Sequence, residues 1–248
     1  LVKCETNDLE VPADAEIIIE GVILPDYKVE EGPFGEYTGY RTSPRDFRVT
    51  FRVDAITYRN NATMTISNMG VPQDEGQLLR SFSLGLELDK LLRSQGIPIT
   101  GVYMHPRSTH HMMIVGVKPA YSGIAQQIAQ LAFGSKLGPW FHMVMVVDDE
   151  TDIYNWDEVY HAFCTRCHPV NGIHVSKNTT GTPLYPFATP QERKYSFGSK
   201  VLFDCLWPVD WDKTNDVPTL VSFRKVYTQE IQDKVTNSWT DYGYPPVK

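Results

Sequence analysis

The residues best placed to do chemistry lie in Glu31-Gly-Pro-Phe-Gly-Glu36. Two carboxylates flank a stretch in which Pro33 fixes one φ and Gly32 and Gly35 open conformations that a side chain forbids. A loop of that kind can aim both acids into one cavity. Like charges held close raise one pKa, and desolvation by Phe34 and Tyr37 would raise it further. A carboxyl still protonated near neutral pH is what a proton-transfer step requires. Spacing alone leaves a solvated acidic turn as the competing reading.

Other groups offer less. Lys200 in Phe197-Gly-Ser-Lys200 opens a strand beside a glycine turn, a setting in which a lysine can meet phosphate as a mobile point charge; the alternative is a surface lysine. His105, His110 and His111 invite a metal, but adjacent residues on a strand point to opposite faces, so they read as surface or core-edge histidines. Asp148, Asp149, Glu150 and Asp152 follow an apolar strand, where open α/β sheets bind ligands; a magnesium site competes there with a solvated turn, which is preferred. Cys164 and Cys167 form a CxxC without a second pair or a nearby HxxxH. The pair follows the helical stretch 156–163 instead of opening it, so a thioredoxin-like site is not expected. The four cysteines read as reduced thiols of a cytosolic protein. Walker, dinucleotide and GxSxG patterns are missing.

Positioning these groups requires a core, and the composition supplies one. The chain has 248 residues, 42% of them hydrophobic and 21% charged, with 23 Lys+Arg against 30 Asp+Glu for a net charge of −7. One or two domains are expected. The acidic balance argues against non-specific nucleic-acid binding, and no apolar run approaches the roughly 20 residues of a membrane helix. Residues 1–10 carry charges and no apolar stretch, so no secretory signal is expected. The missing start Met points to a cleaved product or a fragment.

Strands are expected over Ala15–Leu24 and over Phe47–Val53. In the second, Phe47, Val49, Phe51 and Val53 alternate with polar residues, which predicts one face in a core and one face wet or lining a site. Between them, Glu30–Tyr40 has three Gly and one Pro in eleven residues, an irregular backbone. A helix capped by Asp74 runs to about Gln95, with Leu78, Phe82 and Leu86 on one apolar face, stopped by Gly96-Ile-Pro98. Strand His111–Val117, helix Ser122–Phe133 (Ile124, Ile128 and Leu131 inward), strand Phe141–Val147 and helix Asn155–Phe163, opened by an Asn155/Glu158 capping box, follow. That alternation predicts helices packed on a sheet. Thr165–Gly198 loses its periodicity and reads as a lid, binding loop or arm. Strand Lys200–Leu206 precedes an amphipathic helix over Thr228–Tyr242, with Ile231, Val235, Trp239 and Tyr242 on one stripe, suited to docking on its own domain or on a partner subunit.

Val11-Pro-Ala-Asp-Ala-Glu-Ile-Ile-Ile-Glu-Gly21, Glu31-Gly-Pro-Phe-Gly-Glu36-Tyr-Thr-Gly-Tyr40, Ile56-Thr-Tyr-Arg-Asn-Asn-Ala62, Gly96-Ile-Pro-Ile-Thr100, Val147-Asp-Asp-Glu-Thr-Asp-Ile153, Ala162-Phe-Cys-Thr-Arg-Cys167 and Gly198-Ser-Lys200 together resemble the UbiD family of reversible decarboxylases, in its ferulic acid decarboxylase-like branch. The resemblance implies a prenylated FMN, made by a separate flavin prenyltransferase, that forms an adduct with the substrate and acts as electron sink. It implies non-oxidative loss or gain of CO2 on an aromatic, heteroaromatic or α,β-unsaturated acid. The two glutamates of the family's Glu-Arg-Glu constellation match Glu31 and Glu36, with Glu36 the proton donor and Glu31 paired to the arginine. Lys200 matches the lysine near the cofactor phosphate. Tyr37, Arg80 and Phe223 are the candidate substrate contacts; Arg80 stands where the family's residues are often apolar and would bind a second polar group by a charge-assisted bond, the alternative being an exposed arginine.

The family's arginine lies upstream of any position in this chain. So do the Asn, His and Glu that hold its divalent metal (manganese or magnesium, with potassium as a further ion). The chain therefore resembles a C-terminal half of mixed α/β and α+β class. Residues 1–73 are expected to be the end of a split-barrel cofactor domain, 74–96 a connecting helix, and 97–248 an α/β oligomerisation domain with the terminal helix. The implied partners are the N-terminal half, further copies in a homo-oligomer, the acid and CO2, in the cytoplasm, with neither nucleic acid nor membrane. Two alternatives remain: a non-catalytic structural subunit of a larger carboxylase complex, and a metal-dependent hydrolase built on the His and Asp clusters.

Overall fold

β-Branched and aromatic residues dominate the first long segments, and they pair. In the computed structural model, which describes residues 1–245, strand β3 (Ile17–Glu31) runs antiparallel to β4 (Asp46–Tyr58), from Ile17 opposite Tyr58 to Glu31 opposite Asp46. A short pair, β1 (Val2–Lys3) and β2 (Glu10–Val11), precedes it. The buried Glu20 carboxylate joins the two by accepting from the Glu5 and Thr6 backbone N–H groups at 2.9 and 2.8 Å.

The expected core face of β4 is not covered. Phe47, Val49, Phe51 and Val53 are 60, 50, 44 and 48% exposed. Partner residues on an antiparallel pair share a face, so Ile19 and Ile23, opposite Ile56 and Phe51, extend the same apolar strip. Two strands make one layer, and a layer buries its apolar face only against a second one.

Helix α1 (Glu75–Ser94) begins at an Asp74 cap reciprocated by Gln77. Its buried side carries Gln77, Ser81, Leu84, Gly85, Leu88 and Leu92. The Leu78, Phe82, Leu86 stripe faces outward, at 50, 67 and 55% exposure. Both sides of the helix are apolar, and the small residues decide which one packs: at Gly85 a Cβ would already touch Val102 O at 3.6 Å on the neighbouring strand.

That strand, β5 (Ile99–Met104), opens a five-stranded sheet with β6 (Met112–Val117), β7 (Met143–Asp148), β8 (Ile173–Thr180) and β9 (Phe197–Asp204), in the order β5-β6-β7-β9-β8. β6, β7 and β9 are mutually parallel, and the two edge strands run antiparallel. Helices α1 and α2 (Ile124–Gly134) enclose one core with Met113, Val115, Val144, Val146 and Leu202. Helix α3 (Trp156–Arg166) closes the other face, where Val159 and Ala162 pack with Ile114, Met145 and Val147. The central strands are apolar throughout because both faces are covered.

Two local expectations need correction. The Asn155/Glu158 box is not reciprocal: Asn155 accepts from the Asp157 N–H, while Glu158 accepts from the Asp152 N–H and the Asn155 side chain. Residues 165–198 contain β8 and a short helix α4 (Pro190–Tyr195). β8 escapes a periodicity search because it is a polar edge strand, interrupted at Asn178 with φ 55°.

Residues 207–248 form a second compact unit. It holds α5 (Phe223–Val226) and α6 (Gln229–Asn237). α6 ends five residues before the expected Tyr242, and none of its residues is buried. Residues 246–248, the end of the expected third segment, lie outside the described residues.

Candidate active site

The Glu31–Glu36 loop leaves β3 directly. Gly32 adopts φ +85°, and its carbonyl accepts from Arg45 Nε at 3.0 Å. Glu36 is half-buried in a tight turn: its N–H donates to Tyr40 O at 3.0 Å, and its carbonyl accepts from Gly39 N at 2.9 Å. Gly39 makes that turn with φ +80°, a region that favours glycine. Glu31 is exposed at the strand end. Phe34 does not shield the acids as expected, being 57% exposed.

Tyr37 is buried. Its ring stacks on His110 at 5.1 Å and meets His111 edge-on at 5.9 Å. Burial pushes its phenol up to about 12, with the Arg80 charge opposing and the Glu36 charge adding. The hydroxyl has no hydrogen-bond partner of sound geometry, although the Thr182 side chain lies close. Arg80, exposed on α1, rests its guanidinium 4.5 Å over Trp140 and 5.9 Å from the Tyr37 ring. Among the described residues no carboxylate lies within ion-pair reach of it. The fold thus gathers Glu36, Tyr37 and Arg80 from two segments 44 positions apart (36 to 80).

Lys200 is neither at the surface nor at an open anion site. It is 2% exposed, donates to Gly138 O and, at 3.2 Å, to Phe141 O, and lies between the Phe133 and Phe141 rings. Burial lowers its pKa to about 8. Its ammonium therefore pins the turn that carries Trp140, on which Arg80 rests. Phe223 belongs to the 207–248 unit, in α5, where it packs on Tyr227 at 5.7 Å.

His110 and His111 are buried, not at the surface or the core edge, because Thr109 and His110 take positive φ and fold both rings inward. His111 packs against His142 and Tyr185 at 4.9 and 5.0 Å. Burial, then the charges of His142 and His110, holds His111 down at about 3; burial, then Lys200, holds His142 at about 4. His142, Tyr185, Trp140 and Gln77 were not singled out from sequence. Only Gln77 carried a usable signal, as the Gln of an Asp-x-x-Gln cap.

No group of three or more His, Cys, Asp or Glu able to hold a metal occurs among the described residues. The acidic turn after β7 is accounted for instead: Asp148 pairs with Arg166 at 2.5 Å and accepts from the Thr151 hydroxyl at 2.6 Å. The four cysteines are free thiols, and Cys167 caps the C-terminus of α3. No described helix is long and apolar enough to cross a membrane.

A mixed sheet carrying helices on both faces, joined to an uncovered β-ribbon that presents a glycine-rich acidic loop, defines a mixed α/β chain. Two family descriptions cover it: the UbiD Rift-related domain over residues 1–72 and the 3-octaprenyl-4-hydroxybenzoate carboxy-lyase C-terminal domain over 77–205. The chain belongs to the UbiD family. It is 32% identical to ferulic acid decarboxylase 1 of Saccharomyces cerevisiae, over 98% of this chain and 50% of that protein. It is similar in structure to vanillic acid decarboxylase of Sedimentibacter hydroxybenzoicus in its closed form, with TM-score 0.80 and 28% identity over 96% of this chain and 49% of that one. It is also similar to an evolved dimeric form of the UbiD-class enzyme HmfF of Pelotomaculum thermopropionicum in complex with prFMN, with TM-score 0.67 and 28% identity over 92% and 47% of the two chains. The chain spans about half the length of the relatives it matches.

The residues present do not fit the divalent metal that the resemblance implies, since no ligand group for one occurs among the described residues, and Lys200 is committed to two carbonyls. They do fit the reacting end of a flavin. A half-buried acid, an unpaired guanidinium and the Trp140 ring stand together, and beside them buried polar atoms such as Tyr37 Oη and Thr38 Oγ1 lack partners.

Proposed function

We propose that this chain supplies the proton donor and part of the substrate pocket of a reversible, non-oxidative decarboxylase acting on aromatic, heteroaromatic or α,β-unsaturated acids. The observation that carries this is Glu36: a half-buried acid held by backbone hydrogen bonds in the turn 36–40, beside a buried tyrosine and a free-standing arginine, in a chain whose relatives are decarboxylases. When bound, the prenylated FMN supplies the electron sink for C–C cleavage. The chain's residues do the rest. Glu36 donates its proton to the carbon that has lost CO2 and takes it back in the reverse direction. Glu31, at the mouth of the same loop, pairs with an arginine outside this chain. Tyr37 backs the donor. Arg80, resting 4.5 Å over Trp140, binds a second polar group of the acid.

The uncovered ribbon β3–β4 suits an N-terminal half that completes the cofactor domain, with that half providing the metal ligands. Assembly into a homo-oligomer, cofactor supply by a flavin prenyltransferase and a cytoplasmic location belong to the same reading. In the holoenzyme, Glu36→Gln keeps flavin binding and loses both CO2 release and incorporation of solvent hydrogen into product. Unchanged turnover in that variant overturns the assignment.

A second reading draws on the exposed strip Phe47, Val49, Phe51 and Val53 and the outward Leu78, Phe82 and Leu86, surfaces that also suit a non-catalytic subunit of a larger carboxylase. A complex whose activity ignores substitution of both Glu31 and Glu36 supports it.

A further inference from the structure

Glu36 sits in a loop that contains two glycines with positive φ, Gly32 and Gly39. Backbone hydrogen bonds shape the turn 36–40, and the loop's attachments to neighbouring elements place that turn. Arg45 holds its start at Gly32 O, and Arg193 donates to Thr42 O beyond its end. The attachment next to Glu36 itself comes from Gln77.

Gln77 is fully buried, at 0% exposure, unusual for a long polar side chain unless every polar atom is used. Its Nε2 donates to Tyr37 O at 2.6 Å and to Gly70 O at 3.3 Å. Its Oε1 accepts from Asp74 N at 2.9 Å, and its own N–H donates to Asp74 Oδ1 at 2.8 Å. Its backbone carbonyl meets His110 Nε2 at 3.1 Å. A carbonyl only accepts, so His110 carries its hydrogen on Nε2, and that ring then stacks on Tyr37. Side chain and carbonyl of one residue therefore grip the residue after Glu36 from two directions, while its cap bonds fix it to the first turn of α1. With an amide there is one consistent orientation, because Nε2 faces two carbonyls and Oε1 faces an N–H.

We infer that Gln77 is a positioning residue for Glu36, clamping Tyr37 through its amide and through His110 so that the acid keeps its aim. This rests on the reading of Glu36 as proton donor. It extends that reading to a residue that touches neither acid nor flavin.

The experiment compares wild type, Gln77→Met and Gln77→Glu as reconstituted holoenzymes, by backbone hydrogen exchange and by steady-state CO2 release. Methionine keeps the volume and removes the donor. Of the three side-chain hydrogen bonds lost, the one to Tyr37 O holds the loop directly; at about 1 kcal/mol its loss makes local opening of residues 34–42 at least about fivefold more frequent, while residues 84–92 in the middle of α1 exchange as in wild type. kcat falls by about 10²-fold with KM within about threefold, the signature of a misplaced group. In Gln77→Glu an ionised carboxylate would face two carbonyls. Its donor returns only on protonation, so kcat falls with rising pH through one ionisation more than the wild-type profile, which has the Glu36 limb alone. Wild-type exchange in 34–42 together with a wild-type pH profile in Gln77→Glu overturns the inference. If instead wild type releases no CO2, or Glu36→Gln retains turnover, the decarboxylase reading fails, and the exchange result still decides whether Gln77 clamps the loop.

Discussion

Replacing Lys200 by Met tests the buried ammonium quantitatively. Burial lowers its pKa from 10.5 to about 8. The difference, about 2.5 units at about 1.4 kcal/mol each, makes the charged form cost the fold about 3.5 kcal/mol. The sign follows from proton counts. Between pH 8 and 10.5 the unfolded chain holds a proton at this lysine that the folded chain has released, so stability rises with pH across that window. Below pH 8 both states are protonated and the whole cost is present; above 10.5 neither changes further. Lys200→Met has no such titration. It leaves Gly138 O and Phe141 O without this donor, which offsets its stability by a constant and adds no slope. Urea unfolding of both proteins at pH 7.5, 8.5 and 9.5 gives the difference directly, because all other titrations are shared. The wild type should gain on the variant as pH rises, at up to about 1.4 kcal/mol per unit. Parallel curves would refute the claim that this lysine is charged and buried, and with it the view that its ammonium holds the 138–141 turn beneath Arg80.

Acid should act on the histidine pair. His111 and His142, held at about 3 and about 4 by burial, contribute stability at neutral pH that is lost as pH falls from 6.5 through those values; His142→Phe should flatten the acid limb by about 3 kcal/mol in a pH series of thermal melts. Arg166→Met strands the Asp148 carboxylate, whose pair is only 11% exposed on the aspartate side, and should cost about 3 kcal/mol by denaturant unfolding. Arg80→Met should raise KM about tenfold for acids bearing a second carboxylate or hydroxyl and leave simple monoacids unchanged; equal losses on both would remove Arg80 from the pocket.

Much of this protein could be read from its residues one segment at a time. The apolar runs of β6 and β7, the Asp74 cap, the inward Ile124 and Ile128 and the glycine-rich acidic loop are local patterns, and period, cap and turn chemistry report them without reference to anything distant. The family resemblance draws on the same short-range motifs. The tertiary structure decided what depends on which surface meets which. α1 is apolar on both sides, and only close approach to β5 at Gly85 selects the side bearing Leu84, Leu88 and Leu92 over Leu78, Phe82 and Leu86. The alternation in β4 marks an apolar face and cannot say whether a second layer covers it. Lys200 has the sequence setting of an anion contact, yet its side chain is buried against Gly138 and Phe141, some 60 residues earlier. The partners of Glu36 follow the same logic, since Tyr37, Gln77, Arg80 and His110 converge only when loop, helix and sheet have packed. Burial and hydrogen bonding are properties of pairs of surfaces, and a pattern within one segment names only half of each pair.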